Sequence, residues 1–140
     1  MPVSGFDHVA IPTARPGDMI RFYRKLGFRV PDPDVFEKSG STFFSIHFGD
    51  QKINVHCPGL WDQKEFDLRG PTALPGCADL CFVWQGGMDG LLEMLREAGA
   101  AVTAGPVDMI GGRDWGEGRG RSVYIRDPEE NLLEFIVYDD

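Results

Sequence analysis

Residues 17–28 read GDMIRFYRKLGF. Met19, Phe22, Tyr23 and Leu26 occupy the i, i+3, i+4 and i+7 places of an amphipathic helix, with Asp18 as its N-cap and Gly27 as its C′ stop. The same stripe returns in the second half of the chain. Leu91, Met94, Leu95 and Ala98 repeat the apolar positions, and Gly99 repeats the stop. Such a repeat constrains the fold more than any single element does.

The flanks repeat with the helices. FDHVAIP alternates as a strand before the first helix and ADLCFVW before the second. With a one-residue gap, His8 aligns with Asp79, Val9 with Leu80 and Ile11 with Phe82. Short apolar pieces, Phe28–Val30 and Ala100–Val102, come after the two helices. TFFSIHFG and QKINVHC then complete the first half, RSVYIRD and NLLEFIVY the second. Each half reads β-α-β-β-β: module one at about 5–57, a Pro- and Gly-rich linker at 58–76, and module two at about 77–138, in a single domain over 1–140. Four strands and one helix cannot cover both faces of their own sheet. The predicted fold class is therefore α+β, with two tandem βαβββ modules forming a curled mixed sheet around a central cavity and the helices outside.

Alternation sorts the side chains. Val9 and Ile11, Ile53 and Val55, Leu80 and Phe82, and Leu133, Phe135 and Val137 turn toward the helices. His8, Asn54, His56, Asp79 and Glu134 turn the other way. Glu134 stands in the core-like run NLLEFIVY, where a carboxylate needs a partner. The expectation is that His8, Asn54 or His56, Asp79 and Glu134 share one concave surface. Imidazole and carboxylate donors in an apolar setting suit a divalent metal, and two His with one carboxylate would match a facial triad. Plainer readings stand beside this one. His8 can be an ordinary partly buried histidine, Arg126 or Arg24 can pair with Glu134, and Asp79 can cap a turn. His47 reads as structural rather than as a ligand.

Together with the repeat, the stretches FDHVAI, FYRKLGF, FGDQKINVH and VYIRDPEENLLEF resemble the vicinal oxygen chelate superfamily. Its members include glyoxalase I, bleomycin resistance proteins, fosfomycin resistance enzymes and type I extradiol dioxygenases. The resemblance covers nearly the whole chain, and DPEENLLEF is its most specific element. It implies the fold, while the scaffold hosts many reactions. It implies metal ligands at His8 and Glu134, with His56 and Asp79 completing the expected set. The chain departs from the glyoxalase pattern at two places: Asn54 stands where that pattern has a second carboxylate, and Asp79 where it has a second histidine. The resemblance also implies a divalent ion (Fe, Ni, Zn or Mn) chelating two adjacent oxygens of a small molecule, with Glu134 as the catalytic proton shuttle. The implied activity is that of a metal-dependent lyase, isomerase or ring-cleaving dioxygenase. The alternative is a metal-free small-molecule binder of the bleomycin-sequestering type. A homodimer is the expected assembly.

Composition narrows the partners. Twenty-two acidic against fourteen basic residues give a net charge of −8, which argues against nucleic acid or an anionic membrane as the main partner. Three cysteines without CxxC spacing fit a reduced chain. MPVSGFDHVAIP has no signal-peptide pattern, and no window is apolar enough for a membrane span, so the chain reads as cytoplasmic. The segment GPVDMIGGRDWGEGRGRS lacks GxxxxGK[ST] and is no phosphate loop. Its Arg113, Arg119 and Arg121 either meet an anionic substrate or are solvated loop charges, and Trp61 and Trp115 are either pocket walls or anchors.

Overall fold

Alternating apolar residues build the first sheet, as the sequence predicts. In the computed structural model, which describes residues 1–139, β1 (His8–Pro12) runs parallel to β3 (Gln51–His56), and β2 (Phe43–Phe48) pairs antiparallel with β3's other edge. The strand order is β1-β3-β2. Ile11, Phe44, Ile46, Ile53 and Val55 are buried, and with them Met19, Ile20 and Tyr23 of α1 (Pro16–Lys25). These residues form the core of a unit spanning Met1–Cys77.

The helix differs from expectation at its start. Pro16 holds the first helical position and Arg15 the N-cap, with no side-chain cap bond. Proline is favoured at that position because its missing N–H would have no helical partner there. Asp18 therefore lies in the first turn, where its charge complements the helix dipole, and is not the cap. Gly27 does stop the helix, at φ +91°. The strand expected at Phe28–Val30 reduces to a single bridge between Arg29 and His47. A second helix, α2 (Pro33–Ser39), comes after it. Asp32 caps α2 by accepting from the N–H groups of Asp34 at 3.0 Å and Val35 at 3.1 Å.

The second unit, Ala78–Asp140, repeats the plan. It contains β4 (Asp79–Val83), α3 (Met88–Glu97), β5 (Ala104–Gly111), a short α4 (Arg113–Gly116), β6 (Gly118–Arg126) and β7 (Leu132–Tyr138). Its sheet order is β4-β7-β6-β5, with β4 parallel to β7 and the other pairs antiparallel. Phe82, Val123, Ile125, Leu133 and Phe135 are buried on one face, along with Leu91 and Leu95 of α3. The strand expected at Ala100–Val102 lies further on, in β5, and most of the Gly-rich segment belongs to the β5–β6 hairpin. Gly120 is there for close approach: a Cβ would lie 2.5 Å from the Val137 carbonyl oxygen. The fold is thus a mixed α+β arrangement with sheets of three and four strands. Among the described residues no helix is long and apolar enough to cross a membrane.

A buried polar clamp sets the register of β4 against β7. Asp127 accepts from the backbone N–H groups of Glu129 and Asn131 and from the Asn131 amide. Asn131 in turn accepts from the Ala78 N–H at 2.9 Å, one residue before β4 begins. Both side chains are almost wholly buried.

With Ile53 and Leu133 in the cores, Ile53→Ala and Leu133→Ala should each lower unfolding free energy by about 2–5 kcal/mol. Val35→Ala, at an exposed position, should change it by less than about 0.5 kcal/mol. Urea denaturation followed by circular dichroism measures all three.

Candidate functional site

Register, more than residue type, defines the site within each unit. On the helix-free face of the second sheet, Cys81, Glu134 and Tyr124 stand side by side in one transverse row. Asp79, Leu132 and Arg126 form the row before it, and Val83, Ile136 and Ser122 the row after. In the first sheet the corresponding row is Ala10, Asn54 and Ser45. It is preceded by His8, Lys52 and His47 and succeeded by Pro12, His56 and Phe43.

Asn54 is the counterpart of Glu134, and His56 is the counterpart of Ile136. His8 and His56 lie at opposite ends of the paired strands, about 13 Å apart at about 3.3 Å per residue.

Glu134 finds its partners in its own sheet. Ser122 Oγ donates to Glu134 Oε2 at 2.8 Å, and Cys81 Sγ donates to the same oxygen at 3.2 Å. Tyr124 stands opposite Glu134 in register on β6. Arg126 and Arg24 do not pair with it: Arg126 donates to the Glu130 carbonyl, and Arg24 faces Asp32 at 3.6 Å. Cys81 is an exposed residue, and partial desolvation of its thiol, and then the hydrogen bond and charge of Glu134, push that thiol up to about 12. The same causes push the Tyr124 phenol up to about 12. Both groups keep their protons at neutral pH, so both remain donors to the carboxylate.

The first unit carries a neutral version of this pattern. Ser45 Oγ donates to Asn54 Oδ1 at 2.9 Å. His8 is exposed, and its Nδ1 lies 2.6 Å from Asp7 Oδ1. His56 meets Phe66 edge-on, with ring centres 5.6 Å apart. Burial, and then the Arg69 charge, lower its pKa from 6.5. His47 is exposed on β2, and its backbone bridges Arg29. Asp79 is exposed at the start of β4. Among the described residues no group of three or more His, Cys, Asp or Glu side chains could hold a metal ion. Within the second unit the row neighbours of Glu134 are Cys81 and Tyr124, and in the first unit Asn54 is a neutral amide.

Cys81, Ser122 and Tyr124 do not stand out in the sequence. Their signal lies in the same alternation that picks out Asp79 and Glu134: Cys81 is one inward step from Asp79, and Ser122 and Tyr124 alternate with apolar Val123 and Ile125. Of the residues in the Gly-rich segment, Arg113 stacks on Tyr138 with its guanidinium carbon 4.2 Å from the ring centre, while Trp115 is fully exposed. Trp61 is an anchor, donating from Nε1 to the Thr13 carbonyl at 2.9 Å.

No family model matches the chain. Individual proteins do. The chain is 34% identical over 140 residues to the glyoxalase domain-containing protein RDO1 of Mycosarcoma maydis, covering 100% of this chain and 72% of that protein. It is 32% identical over 139 residues to virulence protein STM3117 of Salmonella typhimurium, covering 99% of this chain and 87% of that one. The crystal structure of the latter matches with a TM-score of 0.81 over 99% of this chain and 100% of that chain. A lactoylglutathione lyase from Agrobacterium tumefaciens, 19% identical, shares the fold with a TM-score of 0.67 over 98% of this chain and 96% of its own.

This geometry sets two titrations. At pH 8 Cys81 should react with iodoacetamide at least about tenfold more slowly than a free thiol, because its thiolate is scarce. Glu134→Gln should speed that reaction several-fold, since it removes the charge beside the thiol; mass mapping of the alkylated peptide reads both. The His56 ring should titrate below 6.5 by NMR. A histidine kept neutral by the fold gives stability that is complete above its unfolded pKa and is lost as pH falls from there through the lower folded value. The stability of the wild type, relative to His56→Phe, should accordingly decline as pH drops below about 6.5.

Proposed function

This chain belongs to the vicinal oxygen chelate superfamily, and from that premise we propose that it binds a small oxygen-bearing molecule through Glu134 without a metal ion. The observation that carries the reading is the occupancy of the carboxylate. Oε2 takes hydrogen bonds from both Ser122 and Cys81, and a third donor, Tyr124, sits in the same row. A carboxylate held this way is positioned and only half-buried, with acceptor capacity left for one more partner. A ligand hydroxyl or N–H can supply that partner, and a charge-assisted hydrogen bond of this kind contributes about 1.5–3 kcal/mol.

A second reading has one specific observation in its favour. His8 and Glu134 stand at the positions that the resemblance assigns to metal ligands, and the superfamily includes metal-dependent lyases, isomerases and dioxygenases. On that reading a divalent ion would act as a Lewis acid toward two adjacent oxygens of the substrate. Asn54 and Asp79, in place of a carboxylate and a histidine, weigh against a complete ligand set of the glyoxalase type.

The two readings separate in one experiment. The protein, purified without added metal, is screened by thermal shift against α-hydroxy acids, vicinal diols and catechols in the presence of EDTA. A ligand that raises Tm under these conditions, and binds Glu134→Gln at least about tenfold more weakly, supports metal-free recognition. Stoichiometric bound metal that disappears in His8→Ala, with ligand stabilisation abolished by EDTA, would overturn it in favour of the metal enzyme.

A further inference from the structure

The helix-free face of the first sheet carries a row of basic side chains. β3 places Lys52 between His8 of β1 and His47 of β2, and the bridge from His47 to Arg29 extends the row by one more strand. Arg29 turns to this face because its neighbour Phe28 turns to the other, packing edge-on against Tyr23 of α1 with ring centres 5.4 Å apart. The adjoining row is Ala10, Asn54 and Ser45. No acidic residue stands in either row, although the chain holds 22 Asp and Glu and has a net charge of −8. Asp7 flanks the edge of the first row, and its carboxylate is taken up by His8 Nδ1 at 2.6 Å.

These groups are open to a ligand. Arg29 and His47 are exposed, and Lys52 and Asn54 are half-buried. Among the described residues neither Arg29 nor Lys52 forms an ion pair or a side-chain hydrogen bond. Ser45 Oγ donates to Asn54 Oδ1 at 2.9 Å, which orients the amide and leaves its Nδ2 as an unused donor. Lys52 and Arg29 stand two strands apart, about 10 Å at the backbone, with His47 between them. Their long side chains can converge over that ring. Two cations and a set of neutral donors, with no acid among them, make a local positive field on an acidic protein.

We propose that this row binds the phosphate group of a small phosphate monoester, with Lys52 and Arg29 meeting its charge and His47 and Asn54 Nδ2 adding donors. Charge balance selects the ligand. A monocarboxylate satisfies one cation and leaves the other without a counter-ion. A phosphate monoester carries a charge of about −1.5 to −2 near pH 7 and three terminal oxygens. Arginine meets such oxygens with a planar fork, and lysine meets them as a point charge. Ala10, small and exposed beside Asn54, leaves room for the esterified part of the molecule. The site lies wholly within the first unit and does not rest on the function proposed above.

The test is a backbone-amide NMR titration of the full chain at constant ionic strength. Phenyl phosphate is the probe, and sodium benzoate is the monoanion carrying the same ring. Saturable shifts are expected at Ser45, His47, Lys52 and Asn54 with phenyl phosphate, and benzoate should bind at least about fivefold more weakly. Lys52→Gln and Arg29→Gln should each weaken phenyl phosphate binding at least about fivefold. Lys38→Gln removes an equal charge from the exposed end of α2 and should leave binding within about twofold, because salt screens distant charges. If one row variant fails to fold, the other decides. Shifts that do not saturate would overturn the proposal. So would benzoate binding as tightly as phenyl phosphate, or a loss in Lys38→Gln equal to that in the row variants.

Discussion

A carboxylate on an interior strand of a sheet must find donors among its row neighbours, and the second unit is arranged around meeting that need for Glu134. β7 lies between β4 and β6, so Cys81 and Tyr124 flank the carboxylate in register. Ser122, one row on and fully buried, completes the set at 2.8 Å. Partial desolvation and the adjacent negative charge keep the thiol and the phenol protonated. The arrangement depends on register, and register depends on the Asp127–Asn131 clamp that grips Ala78. A one-residue slip of β4 would turn Cys81 to the opposite face and bring an apolar side chain beside Glu134.

The first unit shows what the same register does without a charge. Asn54 takes the place of Glu134 and Ser45 the place of Tyr124, and a single hydroxyl-to-amide bond of 2.9 Å suffices. One backbone plan thus holds a carboxylate in one half and a neutral amide in the other. Superfamily membership fixes that plan, while the chemistry rests with the side chains grafted onto it.

The repeat, the two main helices and the sorting of faces are legible in the sequence because periodicity is a local signal. Leu133 and Phe135 are buried while Glu134 between them is not, as alternation alone requires. Asp18 misleads as a cap because the Pro at position 16 determines where the helix starts, and a proline at the first turn outweighs a nearby acidic side chain. α2 is hidden from periodicity because it buries no side chain fully and so leaves no apolar stripe. β5 lies away from its expected place because Gly111, Gly118 and Gly120 read as loop residues, whereas each permits close packing against Tyr138 or the β7 backbone. The partners of Glu134 depend on inter-strand register, which the sequence does not state.

The central claim is that Glu134 is committed to protein donors and is available to a ligand without an ion. The most direct measurement is side-chain ¹³C NMR of the Glu134 carboxylate, assigned with Glu134→Gln, during titration with paramagnetic Mn²⁺. The Glu134 signal is expected to survive one equivalent of Mn²⁺ and to broaden no more than those of exposed surface carboxylates. Selective loss of that signal at one equivalent, reversed by EDTA and absent in His8→Ala, would contradict it.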